Sequence, residues 1–220
     1  MSFDRLQVRK KQRRMKRVSE NETLRLTASE PNEVWSWDFV FDQTDWGSSY
    51  RILSVLDEHT RQCKSLRPRH SYRARNVIEV LDDLIEEHGA PKYIRSDNGP
   101  EFIAYEIQDW LKKRGIKTHY IKPGSPWEQC YIESFHDKLR DEFLNREIFY
   151  SLAEAEIRLE DWRGEYNSER IHSSLDYRTP DEFAACCKPP LQATPSTPTC
   201  SKKEIPLNQN HRTNLIESTV

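Results

Sequence analysis

Residues 91–145 read PKYIRSDNGPEFIAYEIQDWLKKRGIKTHYIKPGSPWEQCYIESFHDKLRDEFLN. The run 93–96, YIRS, has strand character, and Asp97-Asn98-Gly99-Pro100 is strong turn chemistry. Asp97 is therefore expected where a strand ends and the backbone turns sharply, the place where ligands of open α/β sheets gather. Residues 117–121, KTHYI, predict a second short strand, after which Pro123-Gly124 breaks the chain. A helix is expected from Ser125: Ser125 suits the N-cap, Pro126 the first helical position, and Glu128 completes an S-x-x-E capping box. Ile132, Phe135, Leu139 and Phe143 follow at spacings of three and four, which makes one apolar stripe. Glu133 lies at the edge of that stripe, and Arg140 is two turns further along the same edge.

A third acid sits upstream. Asp38 lies between Trp37 and Phe39 in an apolar run, 34–41, that predicts a strand. Burying an unpaired carboxylate is costly. Two like unit charges about 4 Å apart repel by roughly 4 kcal/mol at an effective dielectric near 20. Clustered carboxylates therefore take up protons or bind a cation. Magnesium suits them, as a hard ion that combines one or two carboxylates with substrate phosphates. Paired metals can clamp both the attacking and the leaving oxygen of a phosphodiester. Spacing alone argues little, because 36 of the 220 residues are acidic.

The words around the acids argue more. S-D-N-G-P-E-F at 96–102 and P-G-S-P-W-E-Q-C-Y-I-E-S-F at 123–135 resemble the catalytic core of insertion-sequence transposases, the DDE enzymes that share the retroviral integrase fold. W-S-W-D-F-V around Asp38 fits that family's first acid, and Tyr166-Asn167, R-I-H-S-S-L at 170–175 and Thr179-Pro180 resemble its C-terminal signature. The resemblance spans roughly residues 31–186. It implies an α/β, ribonuclease H-like fold: a mixed five-stranded sheet flanked by helices, with a small helical C-terminal extension. It implies magnesium-dependent phosphoryl transfer on DNA, with manganese as a substitute ion. A water cuts at the element's end, and the 3′ hydroxyl so released attacks another phosphodiester. Asp38, Asp97 and Glu133 would hold the metal, Asn98 and Gly99 would shape the turn that presents Asp97, and Lys138 and Arg140 would meet DNA phosphates. Arg170 and His172 would either meet phosphates too or lie in a solvated loop. The expected partners are DNA, further copies of the chain on DNA, and an N-terminal helix-turn-helix protein that reads the element's ends. The chain departs from the family at Gln129-Cys130, where Asn-Gly is common, and at Ile171, where Pro is common. The alternatives are an inactive or regulatory DNA-binding remnant and a ribonuclease H-type nuclease. The nuclease would not account for the 170–175 signature.

Composition sets the outer bounds. A net charge of −2 and a pI near 6.4 do not describe a self-sufficient DNA binder. The charge is uneven, since residues 8–17, VRKKQRRMKR, hold seven Lys or Arg and no acid. No apolar run is long enough for a membrane span. Five cysteines without C-x-x-C spacing give neither a zinc site nor a disulfide framework, which fits a bacterial cytoplasm and, with DNA as substrate, the nucleoid.

The rest of the chain follows in order. Residues 1–30 predict a disordered basic arm and linker, 31–146 the catalytic core, 147–187 its helical extension, and 188–220 a disordered tail rich in Pro, Ser and Thr. Strands are expected at 51–56 and 62–66, with a hairpin loop over 42–49. Asp57 there is a rival metal ligand by type, but D-E-H-T at 57–60 reads as a turn. A helix from Ala74 ends at His88, capped by Gly89 and stopped by Pro91, and Ile103, Ile107, Trp110 and Leu111 mark a second helix closed by Gly115. S-L-A-E at 151–154 opens a helix to about Asn167, on which Trp162 and Tyr166 are expected to face the core. T-P-D-E at 179–182 caps a last short helix.

Overall fold

The computed structural model describes residues 26–96, 104–121 and 129–187. The arm, the tail, the turn Asp97–Pro100 with Asp97, Asn98 and Gly99, the Ser125–Glu128 cap and Ile103 lie outside the described residues.

Strand β1 (Val34–Gln43) is the centre of the sheet, because both its faces are apolar. Val34, Ser36, Asp38 and Val40 point one way, and Trp35, Trp37 and Phe39 the other. β2 (Ser49–Asp57) pairs with it antiparallel, in a register that sets Asp38 opposite Ser54. Gly47, at φ 77°, turns the short connection between them. β3 (Cys63–Arg69) pairs antiparallel with β2 across an irregularity at Val55/Leu56. β4 (Tyr93–Ser96) runs parallel to β1, and β5 (Lys117–Tyr120) parallel to β4. The order is β3-β2-β1-β4-β5, the mixed five-stranded sheet expected.

Each face of the sheet carries its own core. α1 (Ala74–His88) and α2 (Tyr105–Lys113) cover the tryptophan face, where Val77, Leu81, Ile107 and Leu111 meet Trp35, Trp37 and Leu53. α1 has the bounds its pattern predicts, and its amide cap at Gly89 (φ 83°) donates to the Ile85 carbonyl. The Asp38 face is covered by α3 (Cys130–Leu139) and α4 (Leu152–Ser168). α3 begins at Cys130 with Gln129 as its N-cap, later than the start expected at Ser125. The described helix starts where Ile132 and Phe135 find the sheet.

α3 does not run on as a uniform helix. From Arg140 to Leu144 it widens into a π turn, in which the Asn145 amide donates to the Arg140 carbonyl at 2.9 Å. The wider turn lets Leu139, Phe143 and the adjacent Leu144 all reach the core. α4 packs on β3 and places Trp162 and Tyr166 in the same cluster as Phe135, with Tyr166 edge-on to Phe135 at 5.0 Å. Residues 147–187 are thus built into the main core and form one of its walls. α5 (Pro180–Cys187) closes the described chain, capped by Thr179 and Glu182 as its T-P-D-E predicts.

The α4 cap gives a first prediction. Ser151 Oγ accepts from the Glu154 amide at 3.1 Å, and the Glu154 carboxylate accepts from the Tyr150 amide at 2.8 Å. Ser151→Ala should lower stability by about 1 kcal/mol in a urea melt. An unchanged midpoint would show that the core alone holds the start of α4.

Candidate functional site

The site is set by the pleat of β1. Asp38 stands in mid-strand on the α3 face, with a side chain that is partly exposed at the sheet's surface. One carboxylate oxygen accepts from the Phe39 amide at 2.8 Å. The other accepts from Gln129 Nε2 at 3.4 Å and lies 3.7 Å from His136 Nδ1. Both contacts come from α3. Gln129, Glu133 and His136 are spaced i, i+4 and i+7, so Glu133 occupies the helix face that meets Asp38. Its side chain is exposed there.

His136 packs against Ser54. Ser54 Oγ donates its one proton to the Asp38 carbonyl at 2.8 Å, and it also lies 2.6 Å from His136 Nε2. Ser54 Oγ has one proton and faces Nε2, so Nδ1 is the ring nitrogen turned toward Asp38. Burial, reinforced by Arg140, pushes His136 down to about 4, so the ring is neutral near pH 7. The neutral ring therefore sets no positive charge beside the Asp38 carboxylate. With the carboxylates of Asp38 and Glu133, the donor set fits a hard divalent ion. Among the described residues no three His, Cys, Asp or Glu side chains form a ready-made metal cluster. Asp97 lies outside the described residues; it follows Ser96, the last residue of β4, which is the parallel neighbour of β1.

Beneath this surface lies a pair that periodicity gave no sign of. Arg95 on β4 donates from one nitrogen to both oxygens of Glu58, each at 2.8 Å, and their side chains are 4% and 0% exposed. Ser36 Oγ donates to the same carboxylate, and Arg95 also donates to the Leu26 carbonyl. Burial pushes the Glu58 carboxyl up, against the opposing pull of Arg95. Asp57 beside it is the last residue of β2, and its side chain caps the turn over 58–60. It is fully buried and accepts from the amides of Asn32, His59 and Thr60.

The remaining site residues separate. Arg140 is exposed at the junction of α3 and the π turn. Lys138 folds back to donate to the hydroxyl and carbonyl of Ser134. Arg170 and His172 do not lie in a solvated loop. Arg170 donates from two nitrogens to Glu142 at 2.6–3.1 Å, and His172 is buried edge-on against Tyr166 at 5.1 Å. Burial, then the nearby Arg170, Lys138 and Arg61, push His172 down to about 4. Cys63, Cys130, Cys186 and Cys187 are all free thiols. No described helix is long and apolar enough to cross a membrane.

Two models of the integrase core domain match the chain, over residues 28–126 and 114–180. An uncharacterized 39.2 kDa protein of insertion element IS476 from Xanthomonas euvesicatoria is 40% identical over 82% of this chain and 52% of its own length. An uncharacterized 31.7 kDa protein of insertion element IS407 from Burkholderia multivorans is 39% identical, over 82% of this chain and 65% of its own. The transposase for IS904 of Lactococcus lactis is 28% identical over 71% of this chain and 62% of its own. The chain therefore spans between half and two thirds of the length of these relatives. In fold it is similar to the HTLV-2 integrase catalytic core domain solved in complex with magnesium, with a TM-score of 0.58 and 16% identity, over 71% of this chain and 98% of that one. It is also similar to a chain of the simian T-cell lymphotropic virus intasome solved in complex with PP2A regulatory subunit B56 gamma, with a TM-score of 0.62 and 17% identity, over 81% of this chain and 63% of that one.

Proposed function

Since the chain belongs to the integrase-core family of insertion-element proteins, we propose that it is a DNA transposase that cleaves element ends and transfers the freed strand to a target. The observation that carries this reading is Asp38, set in the middle of β1 against the α3 face that bears Glu133. Asp38, Asp97 and Glu133 hold magnesium in this reading, and manganese substitutes for it. The ion lowers the barrier to attack on phosphorus by screening the phosphate's charge and activating the attacking oxygen. The chain's own residues do the positioning. Gln129 and the Phe39 amide orient the Asp38 carboxylate, and Asn98 and Gly99 shape the turn at Asp97. Arg140, exposed two turns beyond Glu133, is aimed at a DNA phosphate. No covalent protein nucleophile is required, because water and then a 3′ hydroxyl attack in turn.

DNA is the substrate, and several copies of the chain act together on it. We assign recognition of the element's ends to an N-terminal helix-turn-helix partner, and the place of work to the bacterial nucleoid. Binding by this chain should then be nearly indifferent to sequence. In a competition at fixed salt, the terminal repeat should beat a scrambled duplex by less than about a hundredfold, or roughly 2.7 kcal/mol. A larger preference would place an end reader inside the chain.

The deciding experiment incubates the chain with end-labelled terminal-repeat DNA, a target plasmid and magnesium. Joined products are expected. Cutting without joining would identify a nuclease instead, and binding without either reaction a regulatory remnant.

A further inference from the structure

A cavity of about 270 Å³ opens between α3, the β2–β3 turn and the segment after α4. Its polar walls are Arg61 from the β2–β3 turn, Tyr131, Ser134 and Lys138 from α3, and His172 and Ser174 from the segment after α4. The Arg61 guanidinium stacks over the Tyr131 ring at 3.7 Å and donates to the Glu58 carbonyl. Lys138 Nζ donates to Ser134 Oγ at 2.8 Å. Among the described residues no carboxylate stands within ion-pair distance of either cation, and the neighbouring acid, Glu142, is taken by Arg170. His172 Nε2 is buried without a hydrogen-bond partner.

The backbone around the cavity is held at a cost. Arg61 has φ 62°, a left-handed conformation that glycine or asparagine adopts more readily. Asp176 and Tyr177, at φ 55° and 58°, fold the loop that brings His172 and Ser174 to the cavity. Strain of this kind, roughly 1–3 kcal/mol per residue, concentrates at functional sites. Burial and Arg170 push the Lys138 ammonium down, only partly opposed by Glu142 and Asp137.

We propose that this cavity seats a backbone phosphate of DNA, with Arg61 and Lys138 as its charges and Ser134 and Ser174 as hydroxyl donors. The inference rests on the transposase reading. Ser134 directly follows Glu133, and Lys138 lies five residues on, a rise of about 7.5 Å. A phosphate held here belongs to the strand that passes Glu133, close to the reacting phosphodiester. Arg170 does not touch the DNA in this arrangement. It pairs with Glu142 and so leaves Lys138 without an ion pair of its own among the described residues.

The test is DNA binding by the full chain in EDTA, where no catalysis occurs, over a range of salt. Arg61→Gly and Lys138→Gln should each weaken binding to a scrambled duplex about tenfold, one charge-assisted contact. Each should also flatten the log–log salt slope by about 0.9. Arg61→Gly should melt close to the wild type, since relief of the backbone offsets the lost stacking on Tyr131 and the lost bond to the Glu58 carbonyl. Arg75→Gln, on the outer side of α1, should leave affinity and slope unchanged. A wild type that binds while both cavity variants keep its slope would overturn this site alone. A wild type that fails to bind any duplex would overturn the transposase reading with it. Inorganic phosphate that displaces DNA at matched phosphate concentration would make the cavity a free-anion site and overturn the proposal.

Discussion

Glu133→Gln is expected to lower DNA cleavage and joining by about 10³-fold or more, roughly 4 kcal/mol of barrier, and to leave the melting temperature where it was. The two halves of that result have separate causes. Glu133 is exposed on α3, so an isosteric amide should change stability by no more than about 0.5 kcal/mol. The amide is neutral, and a neutral ligand does not hold a divalent ion against its hydration shell as a carboxylate does. Asp97→Asn should behave in the same way. Asp38→Asn should lose activity equally but should also disturb the fold, because Gln129 and Phe39 donate to its carboxylate. Strand-transfer gels beside thermal melts measure both quantities. Activity in Glu133→Gln above about a tenth of wild type, less than 1.4 kcal/mol of barrier, would remove Glu133 from the metal site.

The largest effect on stability is expected at Arg95. Arg95→Met leaves the fully buried Glu58 carboxylate without its partner, which costs about 3–5 kcal/mol. At roughly 2–4 °C per kcal/mol for a chain of this size, the midpoint should fall on the order of 10 °C. The loss should depend on pH. With Arg95 gone, burial is opposed only by the Ser36 hydroxyl and by Arg61, and it drives the Glu58 pKa further above the ordinary 4.5. The folded chain then keeps a proton that the unfolded chain releases, so stability falls as pH rises above 4.5 through the folded value. The deficit should be smaller at pH 5 than at pH 8. The double variant Glu58→Met/Arg95→Met should recover much of the loss, since an apolar pair needs no charge compensation. Equal melting of Arg95→Met and wild type across this range would show that the pair contributes nothing.

The two variants bear on different kinds of information in the chain. Much of what local pattern sets was legible. α1 has its predicted bounds because Val77, Leu81 and Leu84 repeat at helical spacing and Gly89 alone fits the cap. The apolar period also put Trp162 and Tyr166 in the core. What escaped depends on residues far apart in the chain. Glu58 reads as part of a polar turn until Arg95, 37 positions on, buries it. Arg170 reads as a free cation until Glu142 meets it across 28 positions. The π turn has no sequence signature, because it arises from fitting Leu139, Phe143 and Leu144 to one core. Gln129 stood out only as a departure from the family's usual Asn, and in the fold it is the residue that reaches Asp38. Its amide was visible in the sequence, but its target was not.

The pleat of β1 also limits how such a chain can change. A strand counts its residues in twos, and Asp38 faces α3 only because it shares parity with Val34, Ser36 and Val40. One residue inserted or deleted between Val34 and Asp38 would turn the acid toward the tryptophan core and bring an indole to the surface where catalysis is proposed. A change of two residues would restore the facing. The Thr44–Ser48 connection carries no such count, and it can lengthen by any number without touching the acid. Descendants of this chain should therefore vary freely in length past Gln43 and hardly at all before Asp38.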